Sequence, residues 1–246
     1  MFPAELGDSV SIALIALSAA TSFLSAAAGI GGGIILIAVM APLMPAHAVI
    51  PVHGVVQIGS NAGRAAIMLR HVDLRLVIPF TLGSVVGAAL GGLTAVQLSA
   101  GWLQVGLACF ILYAAWGPKQ TSATHGAAAL TGAFSTFLTM FFGATGTFIS
   151  AMVKTLHLGR LEHVATHSGL MVVQHVIKVI AFGLLGFAYG PYLGLMVGMI
   201  LSGFIGTMLG KRLLIKMDDK FFHKVLSIVL TVLAIRLFYQ GITALL

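Results

Sequence analysis

The sequence predicts an all-α integral membrane protein: an inverted-repeat helical bundle with two re-entrant (broken) helix hairpins. Three observations predict it. The chain is strongly apolar and nearly uncharged, its second half repeats the plan of its first, and its basic loops fall on opposite connections in the two halves. Of 246 residues, 59% are hydrophobic and 8% charged, with a mean hydropathy of +1.08. A soluble domain carries about a quarter charged residues. Stretches 10–51, 77–118 and 182–210 lack acids, lysines and arginines altogether. A crossing helix needs about 20 apolar residues, so the apolar stretches hold roughly six to eight membrane segments. The net charge of +7 records topology in such a chain, not nucleic-acid binding. The expected partners are therefore the bilayer and a small solute, with a homo-oligomer left open. Cys109 is the single cysteine, which excludes a disulfide within the chain. Around Glu5 and Asp8 there is no Lys or Arg, so the N-terminus lacks the basic flank of a signal peptide and is expected to be retained.

Sliding the chain by 114 positions lays Gly29 on Gly143, Gly32 on Gly146, His53 on His167, Asn61 on His175 and Arg64 on Lys178. A further slip of five residues places Gly83, Gly87 and Gly91 on Ser202, Gly206 and Gly210. The halves are residues 1–118 and 126–246, joined by a linker at 119–125 that carries Lys119. Each half reads as four elements in order. A glycine-broken segment comes first (9–45 and 126–158), then a polar-striped helix (47–69 and 162–185). A glycine-stepped helix follows (75–97 and 190–213), and a closing helix ends each half (101–116 and 221–244).

Charge sets the orientation of each element. In the first half the connection after the polar-striped helix carries Arg70 and Arg75, and the next connection (91–101) carries none. In the second half the order reverses: 184–192 is uncharged, and the next connection carries Lys211, Arg212, Lys216, Lys220 and Lys224. Basic loops belong in the cytoplasm, so the halves are inverted. The same rule brings both ends of each broken segment to one face. Each is then a hairpin with a long arm of about 18–20 residues and a short arm of about 11, rising only about 16 Å, half of the hydrocarbon core. The count is six crossings, two hairpins and both termini outside an inner membrane. The glycine steps along 83–91 and 194–210 read as close helix packing.

The first hairpin bends at Gly29–Gly33 and its counterpart at Gly143–Thr147. Glycine permits the bend and lets a ligand approach backbone. The short arms then begin with free N–H groups at the positive end of a helix dipole, a geometry that binds anions. Two such tips entering from opposite faces meet near the midplane, where inverted-repeat carriers hold substrate. Candidate binding residues at the tips are Gly31, Gly32 and Gly33, with Thr145, Gly146 and Thr147. The polar-striped helices add His53, Gln57, Ser60, Asn61 and Arg64 on one face of the first, and His167, Gln174, His175 and Lys178 with Met171 likewise on one face of the second. Ionisable groups inside a membrane tend to line substrate paths. The bland alternatives are a packing turn for the glycines, hydrogen bonds between helices for the histidines, and snorkelling of Arg64 to the membrane edge.

The sign of the lining decides the solute. All six acids (Glu5, Asp8, Asp73, Glu162, Asp218 and Asp219) fall in predicted loops or at helix edges. A cation path shows acidic groups; this one shows His, Lys and Arg, as an anion path does. Any proton coupling would fall on His53, His167 or His175. His163 and His167 stand four apart, but no third ligand is evident, so no metal and no cofactor is expected. Arg236 in the closing helix either turns outward beside Tyr239 or pairs inside the bundle.

With Ala-Gly-Ile-Gly-Gly-Gly at 28–33, an apolar arm after it, the duplicated plan and the basic loop after the polar-striped helix, the chain resembles the sulfite exporter TauE/SafE family of membrane transporters. The resemblance spans nearly the whole chain. It implies a transporter of sulfite, sulfonates or related organic anions, often moved outward. Residues 143–147 depart from the pattern, with Thr145 and Thr147 where glycines would be expected. A passive anion channel of similar inverted-repeat architecture is the main alternative: six crossings plus two inverted half-helices also describe the aquaporin plan, although the paired Asn-Pro-Ala turns of that family are absent. An intramembrane enzyme is not expected, because no Ser/His/Asp set, paired carboxylates or metal triad is present.

Overall fold

The computed structural model describes residues 2–28, 30–95, 99–116, 127–154, 156, 158, 160–213 and 219–245. The linker at 119–125 lies outside the described residues. Those that are described form ten α-helices and no strand. They run α1 (Asp8–Ala28), α2 (Gly32–Met40), α3 (Ala46–Ile67), α4 (Val77–Ala95) and α5 (Ala100–Trp116), then α6 (Ala128–Phe142), α7 (Gly146–Lys154), α8 (Arg160–Leu184), α9 (Leu193–Leu213) and α10 (Asp219–Thr243). Short 3₁₀ turns at Leu69–His71, Leu74–Leu76 and Gly190–Tyr192 lead into α4 and α9.

The order of long, short and long helices runs through both halves, with every boundary within a few residues of expectation. The short arms α2 and α7 have 9 residues each. They are shorter than the sequence pattern suggests and rise about 14 Å. Among the described residues, four helices are long and apolar enough to cross a membrane, at Asp8–Ala27, Leu74–Leu93, Glu162–Leu184 and Gly190–Gly210. Apolar side chains cover their outer faces: Ile78 is 71% exposed and Leu201 62%. In water such a surface would be costly; against lipid it costs nothing. This is an all-α membrane protein.

The largest helix contacts join the halves. α1 packs on α9, α6 on α4, α3 on α8 and α5 on α10. Missing side chains explain the first two. A Cβ on Gly206 or Gly210 would strike the carbonyls of Ala19 and Phe23 in α1, and one on Gly83 or Gly87 would strike those of Ala129 and Ala133 in α6. The glycine steps let backbones touch, as small-residue stripes do in membranes. Ser202 closes the gap with a hydrogen bond from its Oγ to the Ile15 carbonyl, 2.7 Å long.

The loops sort to two ends. At one end the backbone N–H of Asp73 donates to Thr166 Oγ1 (3.0 Å) and His71 pairs with Glu162 (3.4 Å). This joins the loop of Arg70 and Arg75 to the start of α8. At the other end Tyr192 donates its hydroxyl to Glu5 (2.8 Å), and His47 meets Phe187 with ring centroids 6.3 Å apart. Connections expected on one membrane side thus lie together in space. Arg236 is exposed beside Tyr239 on the outer face of α10.

Candidate anion site between two helix tips

Long arms and short arms meet at glycines held in conformations other residues rarely adopt. Gly31 has φ 106° and precedes α2; Gly143 has φ 73° and ends α6. A side chain at either position would be strained. Both tips reach one cavity of about 30 Å³, enough for two or three water-sized groups. Its wall includes Gly31 and Gly33 from the first tip and Ala144 and Gly146 from the second. His53, Gln57, Asn61 and Arg64 come from α3, and His167, Met171 and His175 from α8. Ser25, Ile30 and Ile34 complete it.

Several predicted residues do other work. Gly32 lies against α1, where a Cβ would strike the Thr21 carbonyl and Ser25; it permits close packing. Ser60 shares a hydrogen bond with Ser22 (3.1 Å). Thr145 shares its one hydroxyl proton between the Ser135 carbonyl (3.0 Å) and Gln174 Oε1 (3.2 Å). Gln174 in turn donates to Ser135 Oγ (2.9 Å). Together they brace the second turn. Lys178 is fully buried; its Nζ donates to the Gly143 carbonyl (2.9 Å) and its stem crosses Gly54. Thr147 lies in the first turn of α7, and its side chain is outside the described residues.

The histidines have two faces. His53 Nε2 meets the Gly33 carbonyl at 2.9 Å, and His167 Nε2 meets the Gly146 carbonyl at 3.0 Å. Each ties its helix to the first turn of its own short arm. Among the described residues Nδ1 of both rings, and both nitrogens of His175, are buried without a hydrogen-bond partner. The His53 and His175 rings stand edge to face, centroids 5.9 Å apart.

Arg64 does not snorkel. It is 5% exposed, donates from Nη2 to Asn61 Oδ1 (2.6 Å) and lies 3.4 Å from Ser168 Oγ through Nε. Asn61 passes the chain on to Gln57 Oε1 at 3.1 Å. Arg64 Nη1 has no partner among the described residues, and no carboxylate lines the cavity. Glu5 and Asp8 are exposed and Glu162 is partly so. A buried cation without a counter-charge is costly. Chemically the site offers a guanidinium donor and imidazole edges to something small and negative.

Sequence reasoning missed the hydroxyls of the long arms. Thr21, Ser22 and Ser25 are buried in α1, as are Ser135, Thr136 and Thr139 in α6. The 114-residue offset superimposes these trios, so the signal was present. The same offset pairs the wall residues Ile30 and Ala144.

The sequence model of one family, described as sulfite exporter TauE/SafE, matches residues 14–237, nearly the whole chain. No curated protein and no solved structure matches.

Proposed function

The chain belongs to the sulfite exporter TauE/SafE family, whose members are membrane transporters and not enzymes, and from that premise we propose that it carries a small oxyanion of the sulfite and sulfonate class outward across a cell inner membrane. One observation supports the anion most directly. Arg64 is buried beside the cavity, and among the described residues its Nη1 has no partner and no carboxylate answers it. An anion there gains charge-assisted hydrogen bonds from Arg64 and meets the first turns of two short helices. His53, Gln57, Asn61, His167 and His175, with Gly31, Gly33 and Gly146, form its surroundings. Gly32, Ser60, Thr145, Gln174 and Lys178 hold those elements in place. On the same reading the two halves are inverted repeats, the Arg70–Arg75 loop faces the cytoplasm and both termini lie outside.

The test is a thermal-shift screen of purified protein against sulfite, sulfate, thiosulfate, methanesulfonate and acetate. A ligand that binds only the folded state raises its stability; a flat response to every anion would remove the proposal. Counterflow in vesicles then separates a carrier from a passive channel, because only a carrier exchanges labelled for unlabelled anion against no net gradient.

A further inference from the structure

The unpartnered atoms around the cavity carry a second message. A backbone carbonyl only accepts hydrogen bonds, so the carbonyls of Gly33 and Gly146 require N–H on the Nε2 of His53 and His167. In the neutral ring the buried, unpartnered Nδ1 is then a bare lone pair. The carbonyl of Gly143 also faces His53, so another acceptor stands beside that ring. An oxyanion entering this cavity brings oxygen lone pairs of its own. It can pair with Arg64 Nη1, but against the Nδ1 atoms it meets acceptor with acceptor. One proton removes the conflict by making Nδ1 a donor or by placing an O–H on the anion.

The converse holds too. The charged or titratable groups near these rings are Arg64 and Lys178, with His163 and His175. In α1 the single ionisable residue, Asp8, is exposed, and α2 has none. Among the described residues no acid lines the cavity, so a proton arriving alone adds positive charge beside the buried guanidinium of Arg64 and the amine of Lys178. Proton without anion is disfavoured, and so is anion without proton. Linkage makes the effect reciprocal: each ligand raises the affinity of the other by the same factor.

We propose that the cavity binds its anion together with one proton, held between an anion oxygen and Nδ1 of His53 or His167, so that a monoanion crosses as an electrically neutral pair. This rests on the anion-carrier reading above. The proton enters and leaves with the anion. Net movement then follows the concentrations of anion and proton and ignores the membrane potential.

Calorimetry on the purified full-length protein tests it. Methanesulfonate stays ionised at every working pH and brings no proton, so it is titrated in two buffers of equal pH and different ionisation heat. Sulfite is titrated in parallel, with its own ionisation subtracted. The expected result is uptake of about one proton per anion bound, with affinity falling about tenfold per pH unit on the alkaline side, the slope for one linked proton. In a His53→Gln, His167→Gln variant the glutamine amide still donates to each carbonyl but does not titrate. Binding there is weaker, proton uptake is lost and the pH slope is flat. Should the pair fail to give a monodisperse protein, the two single variants are compared, and loss of uptake in either supports the proposal. Binding with equal heats in both buffers overturns it and leaves the anion reading standing, as does a double variant that takes up protons like the parent. Failure of both probes to bind at any pH sinks the anion reading itself.

Discussion

The two helix tips face one cavity, yet they are built differently. At the first tip Gly31 takes the left-handed conformation just before α2, and Gly32 lets α2 lie directly on the backbone of α1. At the second the bend comes two aligned positions earlier, at Gly143, and α7 begins behind Thr145, whose hydroxyl is tied to Ser135 and Gln174. The first turn is held by the absence of side chains, the second by their hydrogen bonds. The aligned cations differ likewise. Lys178 is committed to the Gly143 carbonyl, whereas Arg64 holds only side chains and keeps Nη1 free. One polar stripe has been divided into a brace and a site.

Four measurements break or sharpen that contrast, beginning with the largest effect. Gly32→Ala drives a methyl into the Thr21 carbonyl, a backbone atom that cannot yield. It should cost more than about 3 kcal/mol and strip most folded protein from a size-exclusion profile. At Gly146 the atoms nearest a new Cβ belong to the His167 and Met171 side chains, at 3.3–3.4 Å; a few tenths of an ångström of movement by flexible Met171 and His167 relieves them, so the melting temperature of Gly146→Ala should stay near the parent's. Equal losses in these two aligned variants would erase the contrast between tips.

Lys178→Ala leaves the Gly143 carbonyl unpaired and a gap over Gly54. About 2–3 kcal/mol should be lost, read as a lower melting temperature with anion present or absent. A variant with parental stability and no transport would place Lys178 in the site instead. Arg64→Gln should do the opposite, weakening anion binding about 10- to 100-fold through loss of a charge-assisted hydrogen bond while moving the melting temperature little. Thr145→Val has the smallest effect of the three polar substitutions. It removes two hydrogen bonds from the brace and should cost about 1 kcal/mol, visible as a few degrees in a thermal melt. No change at all would mean that the turn stands without Thr145.

Much of this was legible in the residues. The glycine runs gave the two breaks, period and hydropathy gave the long helices, and the 114-residue offset brought His53 and His167 into equivalent roles. What escaped has a physical reason. Helical spacing says which face a side chain occupies but not which neighbour it reaches, so the division of Arg64 to the cavity and Lys178 to a brace showed only once their partners were known. The Gly83 and Gly206 stripes announce a close backbone without naming it, since small residues carry no charge or shape to identify a mate. The lone pairs on His53 and His167 depend on carbonyls in other helices, which no spacing along α3 or α8 reveals. Ser25 and Thr139 passed as ordinary polar residues of an apolar arm because, although the 114-residue offset aligns them, serine and threonine hydroxyls in a helix commonly bond back to carbonyls of the same helix and so do not announce a site.

The cross-packing of α1 on α9 has a consequence for biogenesis. Ser18 of α1 finds its acceptor at the Met199 carbonyl, 181 residues later in the chain. At ordinary synthesis rates of about 5–20 residues per second, Ser18 waits roughly ten to forty seconds in the bilayer for that partner, while Thr21 already donates to the Ser18 carbonyl of its own helix and Ser22 meets Ser60 as soon as α3 is in place. In the interval the Ser18 hydroxyl can turn back on a carbonyl one turn earlier in its own helix, so the bond to Met199 is an exchange of partners that marks the late arrival of α9.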